Sequence, residues 1–91
     1  MSDTDGNAAA PTASAVLHHV VRSLVDDPDA VRVEVQEGAG RRHNTLLEVR
    51  TGPGDMGRVI GRRGKTAQAI RAVVRAAATR DGVDVDVDFV D

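Results

Sequence analysis

Apolar residues first fall into a helical rhythm after residue 14. Val16, Leu17, Val20, Val21, Leu24 and Val25 fill one half of a wheel drawn at about 100° per residue, and His18, His19, Arg22 and Ser23 fill the other. The pattern predicts a helix over 15–26 with Ser14 as its N-cap, stopped by Asp26-Asp27-Pro28, because proline cannot continue a helix. The period then changes to two. Val31, Val33 and Val35 alternate with Arg32, Glu34 and Gln36, and Leu47 and Val49 alternate with Glu48 and Arg50, so two strands are expected around a turn at Gly38-Ala39-Gly40 with Arg41-Arg42-His43 on the rim. Leu46 breaks the alternation, as an exposed leucine or a partner contact.

Past Gly52-Pro53-Gly54 the helical period returns. A short helix is expected over 56–60, capped by Asp55, and a longer one over 65–79, with Ala67, Ile70, Val73, Val74 and Ala77 on its apolar arc. Asp81-Gly82 makes a tight turn into Val83, Val85, Val87 and Phe89, which alternate with Asp84, Asp86 and Asp88. The order is α-β-β-α-α-β, an α+β fold in which three strands carry helices on one face. The helical crossover between the second and third strands makes that pair parallel, so the sheet is mixed. Residues 1–13, a mixture of Ser, Asp, Thr, Gly, Asn, Ala and Pro after the first Met, show no period and are expected to form a disordered tail, leaving one domain over 14–91.

Composition narrows the possibilities. Ninety-one residues make a small domain with a modest core, and Phe89 is the single aromatic residue, so stacked aromatic platforms are not its means of recognition. The absence of cysteine removes disulfides, thiolate metal sites and a cysteine nucleophile. No apolar run approaches a membrane span and no signal peptide opens the chain, which points to a soluble, cytoplasmic protein with no membrane contact. The formal net charge of −2 conceals an asymmetry: seven basic and no acidic residues lie between Arg58 and Arg80, while five basic residues face fourteen acidic ones elsewhere. Screening over about 10 Å makes the local field the relevant one, and it favours a polyanion.

Several patterns that could carry chemistry fail on context. His18 and His19 do not share a helix face, and Asp84, Asp86 and Asp88 stand about 7 Å apart in a row, so neither set converges on a metal. Gly52-Pro53-Gly54-Asp55-Met56-Gly57 satisfies G-x-G-x-x-G in a unit too short for a dinucleotide fold. Gly64-Lys65-Thr66 resembles the end of a phosphate-binding P-loop, but the first glycine of that motif would fall on Val59. No catalytic set or cofactor motif is present, and an enzyme is not expected.

The loop Gly61-Arg62-Arg63-Gly64 fits its context better. It joins two helices, and the second helix points its N-terminal amides and positive dipole end toward the loop, where a phosphate would meet Arg62, Arg63 and Lys65. The glycines permit close approach, and Ile60 and Ile70 are candidates for apolar contact with unstacked bases. Arg71 and Arg75 would extend the basic face. From spacing alone, a plain helix-loop-helix corner remains the competing reading.

Val59-Ile60-Gly61-Arg62-Arg63-Gly64 with the downstream Ile70 resembles the V-I-G-x-x-G signature of the KH domain, and the element order matches its type II arrangement. The length, the Leu24-Val25-Asp26-Asp27-Pro28 helix end and the run from Asp55 to Gly61 are similar to small bacterial KH proteins of the KhpA type. The resemblance implies a single-stranded RNA binder whose loop, Gly61 to Gly64 with Lys65, clamps about four nucleotides. It also implies self-association into a homodimer, pairing with a larger KH protein of the KhpB or Jag type, and an RNA-chaperone or post-transcriptional role linked to cell elongation and envelope homeostasis. Ala67, where many KH domains carry a larger aliphatic residue, and the minimal turn at Asp81-Gly82 depart from the pattern. The alternative is an interaction module whose RNA contact depends on the larger partner.

Overall fold

The computed structural model describes residues 9–39 and 44–91. Helix α1 (Pro11–Leu24) leads through a 3-10 turn (Pro28–Ala30) into strands β1 (Arg32–Gln36) and β2 (Thr45–Arg50). Helices α2 (Met56–Ile60) and α3 (Lys65–Asp81) follow, and strand β3 (Val85–Val90) ends the fold. The sheet order is β1-β2-β3. β1 is antiparallel to β2, with Val33 opposite Val49 and Val35 opposite Leu47. β3 is parallel to β2, with Leu47 beside Val87 and Val49 beside Phe89. The α+β order and the mixed sheet are those expected from the periodicity. Gly40 and the rim residues Arg41, Arg42 and His43 lie outside the described residues, as do residues 1–8 of the expected tail.

Register explains where the core lies. The rows Val33–Val49–Phe89 and Val35–Leu47–Val87 face the helices, where Leu17 and Val21 of α1, Val59 of α2, and Ile70, Val74 and Ala78 of α3 complete the apolar cluster. The opposite face carries the rows Glu34–Glu48–Asp88 and Gln36–Leu46–Asp86. Leu46 is half-buried there, on the outer face rather than in the core.

Four expectations need correction. Helix α1 begins at Pro11, so residues 11–13 are helical and Ser14 is a buried first-turn residue instead of the N-cap. Ala10 precedes the helix without a side-chain cap. The Asp81 carboxylate replaces it, accepting from the Thr12 and Ala13 amides, and no local sequence signal reports a cap delivered from the far end of the chain. Desolvation pushes the Asp81 pKa upward, but hydrogen bonds from the Ala13 amide and from the side chain and amide of Thr12 outweigh it and hold the group below its ordinary value.

Asp55 precedes α2 but does not cap it with its side chain. Its backbone is already in the right-handed helical region, and its buried carboxylate turns toward the α1–β1 connection, accepting from the Asp26 and Asp27 amides at 3.3 and 3.1 Å. On α3, Val73 is 51% exposed whereas Ala78 is buried, so the packed stripe is Ala67, Ile70, Val74 and Ala78. The seam with α1 and the sheet is narrower than the arc drawn on a wheel. α3 runs to Asp81, two residues past its expected end, and Gly82 closes it at a φ of 71° with its amide bonded back to Ala78 and Thr79.

Candidate nucleic-acid interface

The loop between α2 and α3 is built almost entirely by the backbone. Gly61 ends α2 at φ 75° and ψ 177°, its amide bonded to the Gly57 carbonyl at 3.0 Å. Gly64 is left-handed at φ 74°, its amide reaching the Gly61 carbonyl at 3.2 Å, and the Lys65 amide donates to the Arg62 carbonyl. Arg63 sits between them at φ 57° and ψ 24°, the single non-glycine residue with positive φ among the described residues. A right-handed residue followed by a left-handed one, here Arg62 then Arg63, turns successive amides toward the same side and makes a concavity suited to an anion.

The two glycines differ in why they are glycine. A Cβ at Gly61 would lie 2.6 Å from the Thr66 Cβ and closer still to its hydroxyl, so the first turn of α3 occupies that space. A Cβ at Gly64 would meet nothing within 4 Å, and only its positive φ asks for glycine there. Arg62, Arg63 and Lys65 are all exposed, and the N-terminus of the 17-residue α3 opens beside them.

The other candidate residues divide. Ile60 is half-buried and keeps some surface beside the loop. Ile70 is 3% exposed and packs in the core, on the stripe that faces α1 and the sheet, which leaves it little surface to offer a base. Arg71 is half-buried and leaves the loop for the sheet edge, donating from Nε to the Val87 carbonyl at 3.3 Å, with its guanidinium carbon 5.0 Å from the centre of the Phe89 ring. Arg75, one turn further along, is exposed.

Arg58, counted in the basic window, is committed elsewhere. It pairs with Asp26 at 3.0 Å and approaches buried Asp55 at 3.7 Å, which ties α2 to the α1–β1 connection. The cations nearest the loop are therefore Arg62, Arg63 and Lys65. Sequence reasoning missed a cleft between α3 and β3, lined by Gln68, Arg71 and Arg75 on one side and Asp86 and Asp88 on the other. Its signal was present in the alternating aspartates, but only β3's place at the sheet edge beside α3 makes them part of a cleft. Among the described residues no group of three His, Cys, Asp or Glu side chains could hold a metal ion, and no helix is long and apolar enough to cross a membrane.

Known proteins share this arrangement. A solved structure of an Aquifex aeolicus Era variant bound to GDP and aluminium fluoride superposes with a TM-score of 0.62 over 85% of this chain, at 16% identity. The chain spans 29% of that protein, and the likeness is one of fold. The RNA-binding protein KhpA of Leifsonia xyli is 51% identical over 75 residues, covering 82% of this chain and 92% of its own length. The RNA-binding protein KhpA of Streptomyces coelicolor is 48% identical over 75 residues, 82% of this chain and 90% of its own. That of Halalkalibacterium halodurans is 42% identical over 76 residues, 84% of this chain and 96% of its own. The KH domain described as KhpA/KhpB matches residues 14–89. Fold, loop and relatives agree, and the chain belongs to the KhpA/KhpB family of KH domains.

Proposed function

We propose that this protein binds single-stranded RNA without catalysis, holding the sugar-phosphate backbone at Gly61, Arg62, Arg63 and Gly64. One observation carries the reading: Arg62 and Arg63 take right- and left-handed conformations in succession between two glycines, at the N-terminus of α3, with both side chains exposed. Amides, helix dipole and cations then act on the same phosphate, and Lys65 reinforces them from the first turn of α3. The three relatives described above are each named as RNA-binding proteins. Affinity should fall steeply with salt, by a slope of about 0.7 per phosphate neutralised on a single strand.

The test is a titration of labelled single-stranded RNA against the Gly64→Asp variant. That position has room for a side chain, and aspartate tolerates the left-handed backbone there better than most residues at a cost of about 1–2 kcal/mol; circular dichroism checks that the fold is kept, and the carboxylate sits where a phosphate would lie. Loss of binding is expected, and unchanged affinity would overturn the assignment. The double change Gly61→Asp with Gly64→Asp is a poorer test, because at Gly61 any side chain runs into Thr66.

A second reading concerns partners. Val73 is 51% exposed, and Ala69, Ala72 and Ala76 beside it on α3 are exposed too. This apolar strip of small side chains would allow another helix to approach closely, which favours self-association or pairing with a larger KH protein of the KhpB type. In that setting the domain serves as an RNA chaperone or post-transcriptional regulator, with any tie to cell elongation and envelope homeostasis following from the partner.

A further inference from the structure

β1 is the outer strand on the side of the sheet away from β3. The Thr45 amide donates to the Asp84 carbonyl at 3.1 Å, so Thr45 turns its backbone toward β3, and alternation turns that of Leu46, Glu48 and Arg50 toward β1. Their partners there are Gln36, Glu34 and Arg32. Val31, Val33 and Val35 therefore aim their amides and carbonyls at the free edge. Val31 shows this directly: its amide donates to the Pro28 carbonyl at 3.2 Å, and its carbonyl accepts from the Arg32 guanidinium at 3.0 Å. No proline or bulge interrupts the register of β1 with β2, so nothing in the backbone blunts this edge against another strand.

The side chains along β1 carry a second signal. Arg32 stands opposite Arg50 and Glu34 opposite Glu48, so each charge meets its like across the sheet, an unfavourable arrangement. Val33 and Val35 face the helices but stay half-buried at the margin of the core. Both kinds of residue find their complement in the same sequence read backwards. Val31-Arg32-Val33-Glu34-Val35, laid antiparallel on itself about Val33, sets Arg32 against Glu34 twice and valine against valine throughout. The Val33 residues of the two copies exchange both backbone bonds, and each Val35 amide reaches the other copy's Val31 carbonyl as Arg32 leaves it for Glu34. Shifting the register so that Arg32 meets Arg32, or Glu34 meets Glu34, restores repulsion. Charge thus fixes the register as well as the partner.

We propose that β1 pairs antiparallel with β1 of a second copy, centred on Val33, when two copies sit on one RNA strand. The inference rests on the RNA-binding reading and adds cooperation between copies to it. An edge of 5 residues buries far less than the roughly 1,200 Å² at which stable dimers begin, so free copies do not hold together through it. Two copies tethered to one strand meet at an effective concentration near millimolar, where such an edge is enough. Antiparallel pairing reverses one copy relative to the other, so the RNA has to turn back between them. A long strand can do so, and a short one cannot.

The experiment is run on full-length chains that carry Val73→Glu, so that the strip on α3 links no copies. Fluorescence anisotropy follows binding to labelled octauridylate, which has no slack to turn back, and to a forty-nucleotide polyuridylate. On the long strand the second copy of this parent should bind about tenfold more tightly than the first, a ratio that corresponds to about 1.4 kcal/mol. Arg32→Glu or Glu34→Arg, added to the parent, should each abolish that cooperativity, since like charges then meet between the copies. Neither change threatens the fold, because each sets opposite charges across β1 and β2. An equimolar mixture of the two variants should restore cooperativity, and so should both exchanges in one chain. On the octamer all of them should bind without cooperativity. Independent binding of the parent to the long strand, cooperativity that survives in either single exchange, or a mixture that fails to restore it would overturn the pairing while leaving the loop assignment intact. Absence of binding to either strand would overturn both.

Discussion

The Asp81 carboxylate accepts the amide hydrogens of Thr12 and Ala13, at 3.0 and 2.9 Å, and joins the C-terminal end of α3 to the first turn of α1. It serves as the N-cap that α1 lacks locally. Asp81→Ala should cost about 1 kcal/mol, the usual worth of an N-cap, and lower the melting temperature by about 4–8 °C in a domain of this size. The pH dependence follows from the direction of the shift. Desolvation raises the Asp81 pKa, but its hydrogen bonds lower it further, so the folded value lies below the unfolded one. The contribution is complete above the ordinary carboxylate value of about 3.9 and is lost as pH falls through the lower folded value. Thermal melts of both proteins from pH 7 down to pH 2 should therefore converge at the acid end.

Arg63 pays for its place in the loop with a left-handed backbone. Arg63→Gly relieves about 1–2 kcal/mol of that conformation and returns about 0.4–1 kcal/mol as added freedom of the unfolded chain. The variant should be slightly more stable in urea and bind RNA more weakly. Its plot of log affinity against log salt should flatten by about 0.7, one phosphate contact fewer. A variant that loses stability, or binds with an unchanged salt slope, would contradict this account of Arg63.

Asp55 is 4% exposed and holds two amides of the α1–β1 connection, with Arg58 close by. Asp55→Ala leaves those donors without their acceptor in a partly buried place, at a cost of about 2–3 kcal/mol. Urea unfolding measures it. A loss below about 0.5 kcal/mol would mean that water replaces the carboxylate without penalty.

Val73→Glu tests the strip on α3. The side chain is half exposed and outside the core, so the monomer should fold with stability within about 0.5 kcal/mol of the unaltered chain. Sedimentation should show self-association in the unaltered protein and its loss in the variant. Identical sedimentation of the two would remove α3 as the pairing surface.

Much of the fold was legible because its signals are local. The switch from a period of 3.6 to 2 at Val31, the turn glycines and the valine–aspartate alternation after Gly82 set the element order and the parallel pairing of β2 with β3. α2 was placed residue for residue. The two misplaced caps share one cause, a partner distant in sequence. Asp81 lies 69 residues from Thr12, and Asp55 lies 28 from Asp27, so neither cap leaves a trace in a short window. Arg71 belonged to the basic window by composition, yet its position is set by the Val87 carbonyl and Phe89 across the sheet edge. Ile70 was read as a candidate ligand contact because it shares a motif with the loop, while the helix stripe it occupies packs in the core.

The crowding between Gly61 and Thr66 separates two kinds of constraint that a motif writes as one. Folding alone forbids a side chain at Gly61, whatever the loop binds. At Arg62, Arg63 and Gly64 the fold asks little beyond a backbone angle. In a descendant that ceased to hold nucleic acid, the first glycine would persist, Gly64 would be held more loosely by its left-handed backbone, and Arg62 and Arg63 would drift. A surviving first glycine is thus a record of architecture, and the two arginines testify to binding.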